Sequence, residues 1–348
     1  MSRRNSLRFG NSTKEPKWPL FLLLALVVLT FAAPPIFGHS SSSFTIYNAL
    51  QNTSCLGLVA LGLGLTMIVG EFDLSVAGTY ALGGMVAVKA GAGSPFIGIL
   101  AGVAVCVVFG LIQGVIIAKL GVNSMAVTLG GSLVALGIAG TIGDNKSQSY
   151  DNYDVGIFLN QQIGTFFSVR ILIGVAAFVA VFLLMTLTNL GRAMRATGGG
   201  RRASRTAGVR VDAIVIMSFG ASAGFAGLGG VLQAYGTSTA TSNPGLFPLI
   251  FAVTACLLGG IGLAGGRGGA VGIACGALSL ALLSEFFSTV AAPQYVTGLV
   301  TGLLLILVTA AASPLVLRKW NESRARKAMQ EASMPQTSSD KQSISIGE

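Results

Sequence analysis

Apolar runs of about 20 residues alternate with short polar stretches along most of the chain. A run of this length spans the hydrocarbon core of a bilayer as an α-helix, because each helical residue rises about 1.5 Å. The pattern predicts ten such spans, at residues 19–37, 55–70, 75–91, 96–118, 122–142, 170–190, 213–235, 249–264, 270–290 and 295–317.

The composition supports a membrane protein. The chain is 52% hydrophobic and only 10% charged, whereas soluble domains carry about 25% charged residues. Its 48 glycines suit helices in lipid, where small residues let two backbones approach closely. We therefore predict an all-α integral membrane protein with about ten transmembrane helices.

Polar stretches divide the chain into three parts. Residues 1–18 are predicted to form a cytosolic tail, residues 19–317 the transmembrane domain, and residues 318–348 a basic cytosolic tail that we expect to be disordered. Within the transmembrane domain, residues 38–54 and 143–168 are predicted to be loops.

Basic residues collect on one predicted side of the membrane. If the N-terminus is cytosolic, ten spans place 19 of the 22 Lys and Arg residues in the cytosol, six of them arginines within residues 191–212. Only Lys89, Lys146 and Arg170 then lie outside. Such a bias is typical of cytoplasmic loops, so we expect both termini and residues 191–212 to be cytoplasmic. It also explains the net charge of +10 through membrane topology and lipid contact, without nucleic acid.

Four polar side chains in or beside the apolar runs are candidates for a translocation pathway: Asp73, Ser75, Gln113 and Glu285. Polar groups at membrane depth usually face a water-filled cavity or one another. Each has an alternative. Asp73, two residues after Glu71, suits a solvated turn that caps the third helix. Gln113 suits a bond between two helices, and Glu285 suits a position that reaches the outer surface.

No catalytic or metal site is expected in the chain. His39 is the only histidine, so it cannot build a metal site or a catalytic triad. Cys55, Cys106, Cys256 and Cys275 lie in apolar runs without metal-like spacing and are expected to be buried. The sequence has no GxxxxGK[ST] phosphate loop. Pairs of glycines four residues apart recur in the spans and are expected to serve helix packing; a dimerisation face is the alternative.

Four ordered motifs resemble the permease subunits of bacterial ABC importers for ribose and other monosaccharides. That family carries GGIDLSVG, NG…aklgvpPFIvTLG, GR…AvGGN…AA…sGI and GGisl.GGrGs. The matching segments here are GEFDLSV (70–76), GLIQG (110–114) with AKLGV (118–122) and VTLG (127–130), the central GR (191–192), GG (198–199) and GV (208–209), and LGGI (258–261) with GGRG (265–268).

The resemblance implies a type II ABC importer-like permease in the bacterial inner membrane. A second permease chain, identical or related, would complete the channel. A cytosolic ABC ATPase would bind ATP and Mg, so no cofactor is expected in this chain, and a periplasmic or lipid-anchored binding protein would deliver the substrate. Residues 191–212 would form the coupling element, with a short helix over about residues 200–207. The ATPase-coupling residues it implies are Arg192, Gly198, Gly199, Arg201, Arg202, Ala203, Ala207 and Gly208.

The chain departs from the family pattern at several of these positions. Glu71 and Phe72 replace Gly and Ile, Gln113 replaces Asn, and arginines at 201 and 202 replace acidic residues. Arginines in a docking element predict an ATPase with a complementary acidic groove.

The leading functional hypothesis is therefore an ABC permease for a monosaccharide or related polyol. Two others stay open. One is a secondary transporter in which Glu71, Asp73 and Glu285 relay ions. The other is an ABC permease for another small solute, such as a branched-chain amino acid or a quorum signal.

Overall fold

The computed structural model describes residues 18–38, 40 and 42–311, so His39 and nearly all of both predicted tails lie outside the described residues. A short 3-10 turn at Pro34–Phe37 follows the first helix. The helices are α1 (Trp18–Ala32), α2 (Ser43–Val69), α3 (Val76–Ala90), α4 (Pro95–Leu120), α5 (Ser124–Ile142), α6 (Tyr153–Asn160), α7 (Val169–Leu187), α8 (Asn189–Gly199), α9 (Arg201–Thr206), α10 (Val211–Gly236), α11 (Phe247–Leu258), α12 (Ala270–Thr289) and α13 (Gln294–Ala311).

Ten of these helices coincide with the ten predicted spans. Seven are long and apolar enough to cross a membrane. The other three, Val76–Ala90, Phe247–Leu258 and Tyr295–Ala310, are apolar but shorter. The all-α membrane fold is thus confirmed. The chain divides into a first compact unit that ends at Leu305 and a second that begins at Ile306, of which the last residues of α13 are described.

Helix α2 begins twelve residues earlier than the pattern predicts, so the expected loop at 38–54 is wrong over most of its length. The helix starts with a capping box, in which Ser42 and Thr45 each bond to the other's backbone amide. Its polar first half is accommodated by distant partners. The Gln51 side chain, for example, donates to Asn160 Oδ1 at 3.3 Å. Such partners are invisible in the local sequence.

The predicted loop at 143–168 also contains regular structure. Strand β1 (Gln148–Ser149) pairs antiparallel with β2 (Thr239–Ala240), which joins this segment to the end of α10. The short helix α6 lies in the same segment and packs against α10 and α7.

Helices α2 and α10 form the centre of the bundle. Each is buried over most of its length, and α10 packs against α2, α3 and α4. Glycine makes the close packing possible. A Cβ at Gly62 of α2 would lie 2.6 Å from the Ser222 carbonyl of α10, and one at Gly83 of α3 would lie 2.6 Å from the Gly227 carbonyl.

The spaced glycine pairs mostly serve this internal packing, as predicted. Gly110 and Gly114 of α4 face the α10 backbone, and Gly276 of α12 faces the Ala255 carbonyl of α11. Gly298 and Gly302 differ, because a Cβ at either would meet nothing within 4 Å among the described residues.

Candidate functional site

Helices α8 and α9 mark one end of the bundle, which we call the arginine end. Residues 191–212 form two helices there. Thr188 caps α8 through a bond from the Gly191 amide at 3.5 Å. After Gly200, α9 runs over Arg201–Thr206, within the predicted helix at about 200–207. Gly208, at φ +81°, ends α9 in the left-handed conformation that glycine adopts without strain. Helix α8 is not anticipated by the sequence pattern.

Helix α9 presents small residues and a free cation to solvent. Ala203, Ala207 and Gly208 are exposed, whereas Ser204 is buried. The two ion pairs of the described residues use Arg201 and Arg205. Arg202 is exposed and forms no ion pair within that part of the chain. Arg192, also exposed, bonds to Asn189 on its own helix.

Beside α9, three chain segments meet backbone to backbone at what we call the glycine junction: Gly70, Gly198, Gly199, Gly265 and Gly266. The Gly266 amide donates to the Ile68 carbonyl at 2.8 Å. A Cβ on Gly265 would lie 2.7 Å from Gly70 Cα, and one on Gly266 would lie 2.9 Å from the Gly199 amide nitrogen. The end of α2, the end of α8 and the α11–α12 connection therefore touch without intervening side chains.

An ion pair closes the junction on its solvent side. The Arg201 guanidinium bonds to the carboxylate of Glu71, whose side chain is 10% exposed. Both residues are departures from the family pattern, and the structure pairs one with the other. The Arg201 guanidinium thus has a partner in the same chain, and the side chain is 43% exposed. Its interpretation as a contact for an acidic ATPase groove stays a prediction. Arg202 keeps that interpretation as a prediction.

Asp73 lies beneath the junction, in the turn between α2 and α3. Its carboxylate accepts from the Ser75 amide at 2.9 Å, from the Ser75 hydroxyl at 2.6 Å and from the Ser222 hydroxyl of α10 at 2.7 Å. Burial raises the pKa of this carboxyl, and the bonds from Ser75 and Ser222 oppose that rise. The predicted cap on α3 is present, but Asp73 and Ser75 are each 1% exposed, so the turn is not solvated.

Gln113 lies between α4 and α5, where its side chain packs against Gly131. It is 4% exposed, and neither amide atom has a hydrogen-bond partner among the described residues. This position favours a role between helices over a place on an open path.

A cavity of about 300 Å³ lies at the opposite end of the bundle. Its walls come from α2, α3, α10, the start of α11 and the segment that connects α10 to α11. The polar side chains on these walls are Asn52, Tyr80, Gln233, Thr239 and Thr241. None was singled out from the sequence, although Gln233, like Gln113, is an amide inside an apolar run.

Glu285 belongs to the same region. The Asn52 side chain donates to its carboxylate at 2.8 Å. Glu285 thus touches a cavity-lining residue. Glu71, Asp73 and Glu285 each bond to a different set of partners, and no hydrogen bond joins any two of them in the described chain.

Comparison with known proteins identifies the family to which the chain belongs. The family described as "Branched-chain amino acid transport system / permease component" matches residues 45–309, most of the chain. The chain belongs to this permease family. Its members are transport components, and the family resemblance stated from the four motifs is confirmed.

Curated relatives of this permease are named as sugar importers. The ribose import permease protein RbsC of Escherichia coli K12 is 28% identical over 304 residues, 84% of this chain and 92% of that protein. The galactose/methyl galactoside import permease protein MglC of the same strain is 27% identical over 339 residues, 92% of this chain and all of that protein. The L-arabinose transport system permease protein AraH of Escherichia coli K12 is 29% identical over 307 residues, which cover 87% of this chain and 92% of that protein. No solved structure matches the permease.

The four motifs of the permease converge around residues 70–76. Glycines of the first, third and fourth motifs build the glycine junction. Thr128, from the second motif, accepts a bond from the Leu74 amide at 3.0 Å. The sequence order of the motifs does not show this convergence.

Proposed function

We propose that this chain is the membrane subunit of an ABC importer that translocates a monosaccharide or a related polyol. The arginine end would face the cytosol of a bacterial cell and dock onto an ABC ATPase that binds ATP and Mg. A second permease chain would complete the channel, and a periplasmic or lipid-anchored binding protein would deliver substrate at the opposite end.

The glycine junction carries the proposal. Exposed helix α9 follows directly on α8, and at the glycine junction the end of α8 meets α2 and the α11–α12 connection backbone to backbone. Backbone contacts have no rotamers that absorb a displacement. A push on α8 and α9 by a docked partner would therefore move the membrane helices, as alternating access requires.

Two observations support a sugar as the substrate. The named relatives import ribose, galactose and arabinose, and the cavity carries amide and hydroxyl side chains suited to hydroxyl groups. The family description names branched-chain amino acids. Such a substrate would call for an apolar pocket with charged groups for its ammonium and carboxylate, and the cavity walls carry no charged side chain.

Arg202→Glu tests the docking. We expect this variant to insert in the membrane normally but to lose co-purification with the ATPase, because Arg202 is exposed and pairs with no carboxylate in the described chain. Uptake of ribose, galactose, arabinose, leucine and valine is measured in vesicles that contain the ATPase and the binding protein. Lys146→Glu, an exposed charge reversal that lies far from α9 in the sequence, is the matched control.

Two results would overturn the proposal. One is an Arg202→Glu variant that binds the ATPase and transports as the parent does. The other is uptake that continues after the ATPase is inactivated and instead follows an ion gradient, which would indicate a secondary transporter. A leucine or valine signal without a sugar signal would assign the other substrate class.

A further inference from the structure

Two amide side chains on the cavity walls are held by charged residues behind them. Gln233 lies near the end of α10 and Asn52 in the first half of α2. Both are partly exposed and both line the cavity. An amide has one accepting and one donating end, so a charge behind it decides which end faces the cavity.

Arg170 orients Gln233. The guanidinium is 6% exposed and donates to Gln233 Oε1 at 2.7 Å. It also donates to Asn160 Oδ1 at 3.3 Å and to Cys55 Sγ at 2.8 and 3.0 Å. A guanidinium has donors only, so the oxygen of Gln233 must face Arg170. The amide nitrogen of Gln233, which has no partner among the described residues, is the end left for the cavity.

Glu285 orients Asn52 in the opposite sense. A carboxylate only accepts, so the Asn52 nitrogen faces Glu285, at 2.8 Å. The Asn52 oxygen has no partner within the described part of the chain and is the end left for the cavity. Arg170 and Glu285 are therefore both positioning residues, one behind each amide.

We propose that the cavity is a binding site for a neutral polyhydroxy solute, in which Gln233 donates to one hydroxyl and Asn52 accepts from another. This inference rests on the proposed transport of a sugar and names the residues that select it. A hydroxyl both donates and accepts, so one solute satisfies both amides. The size fits, because 300 Å³ lies at the small end of ligand pockets.

The paired charges select against an ion. Arg170 has no carboxylate partner among the described residues, and alone it would favour an anionic ligand. Glu285 behind Asn52 supplies the opposite charge on the other side. A neutral molecule with hydroxyls at both ends matches both sides, whereas the carboxylate of a sugar acid is attracted by Arg170 and repelled by Glu285.

The test uses the permease alone. Thr239 lines the cavity and is exposed, and the four native cysteines are buried. In a Thr239→Cys protein in detergent, maleimide labelling is timed with and without ribose, galactose, arabinose or galacturonate. We expect at least one neutral sugar to slow labelling. Adding Gln233→Leu or Gln233→Glu should raise the sugar concentration that gives half-maximal protection by about 3- to 10-fold, which corresponds to the loss of one hydrogen bond.

The matched controls separate the possible failures. Gln233→Glu keeps an accepting partner for Arg170 and replaces the amide donor by an accepting, charged oxygen, so it guards against misfolding of the leucine variant. Gln161→Glu makes the same change at an exposed position away from the cavity walls and should leave protection unchanged. The inference is overturned if no sugar slows labelling, if the Gln233 variants protect as the parent does, or if galacturonate protects better than galactose. Intact ATPase docking through Arg202 alongside any of these results would leave the proposed function standing.

Discussion

Replacing Gly198 with alanine should destabilise the protein, whereas the same change at Gly199 should not. A Cβ at Gly198 would lie 2.5 Å from the Gly266 amide nitrogen and closer still to the Ile68 carbonyl oxygen. Both are backbone atoms and cannot rotate away. At the neighbouring Gly199, a Cβ would meet nothing within 4 Å among the described residues.

The size of the difference follows from three terms. Forcing a methyl group into a packed contact costs about 1–3 kcal/mol. Weakening the 2.8 Å bond between Gly266 and Ile68 removes a further ~0.5–1.5 kcal/mol. Exchange of glycine for alanine in a helix returns up to about 1 kcal/mol, and it does so at both positions. Gly198→Ala should therefore be less stable than Gly199→Ala by about 2–4 kcal/mol.

Unfolding of both variants in detergent, followed by circular dichroism, measures this difference directly. Stability is the readout, because Gly199 is itself predicted to take part in coupling. Equal unfolding midpoints would refute the close contact at the glycine junction. If Gly199→Ala were less stable than Gly198→Ala, the opposite face of α8 would pack against α2 and the α11–α12 connection.

Three further predictions test other contacts. Gly110→Ala on α4 should cost about 1–3 kcal/mol because its Cβ would run into the Phe219 carbonyl. Gly130→Ala on α5 meets open space and should be neutral or stabilising by up to about 1 kcal/mol; equal midpoints would contradict the α4–α10 packing. Ser222→Ala removes a donor to Asp73 and should cost about 1–3 kcal/mol at neutral pH. Burial raises the Asp73 pKa, so the native carboxyl takes up a proton at a pH above the ordinary value of about 3.9. A protonated carboxyl accepts from Ser222 more weakly than a carboxylate does, so the penalty should shrink as the pH falls through the native pKa. A penalty independent of pH would show that the charge on Asp73 does not strengthen this bond. Arg205→Ala breaks an exposed ion pair with Asp212 and should change stability by less than about 1 kcal/mol, so a larger loss would mean that this pair anchors α9.

The helices were largely predictable from the sequence because membrane-spanning helices appear in it as long apolar runs. Backbone groups in hydrocarbon must bond internally, so long apolar runs indicate helices, and ten were found. The signal failed where polar residues are buried by protein. The Asn52 side chain is accommodated in the buried helix because it donates to Glu285, which lies 233 positions later in the chain. The residues around Asn52 in the sequence give no sign of that partner. Helix α8 was missed for a related reason, since its arginines and glycines resemble a loop.

The candidate site was predictable only in part. The glycine motifs mark positions where backbones approach closely, and those positions proved to be contacts. Their meeting at one point depends on how α2, α8 and the α11–α12 connection fold together. The pair of Arg201 with Glu71 was likewise out of reach, although both residues stood out as departures from the family pattern. The cavity was missed because its polar residues are spread over four elements.

Helix α2 carries a residue of the cavity wall in its first half and, near its end, Ile68, whose carbonyl bonds to the glycine junction. Asn52 and Ile68 are sixteen positions apart on one unbroken helix without proline, a distance of about 24 Å along its axis. If such a rod turns about its cavity end, a rotation of about 5° moves the junction by about 2 Å. A small angular change at the cavity would thereby become a displacement of atomic size at the junction. If the proposed solute and partner protein bind at these two sites, the length of this one helix sets how far a movement at one site displaces the other.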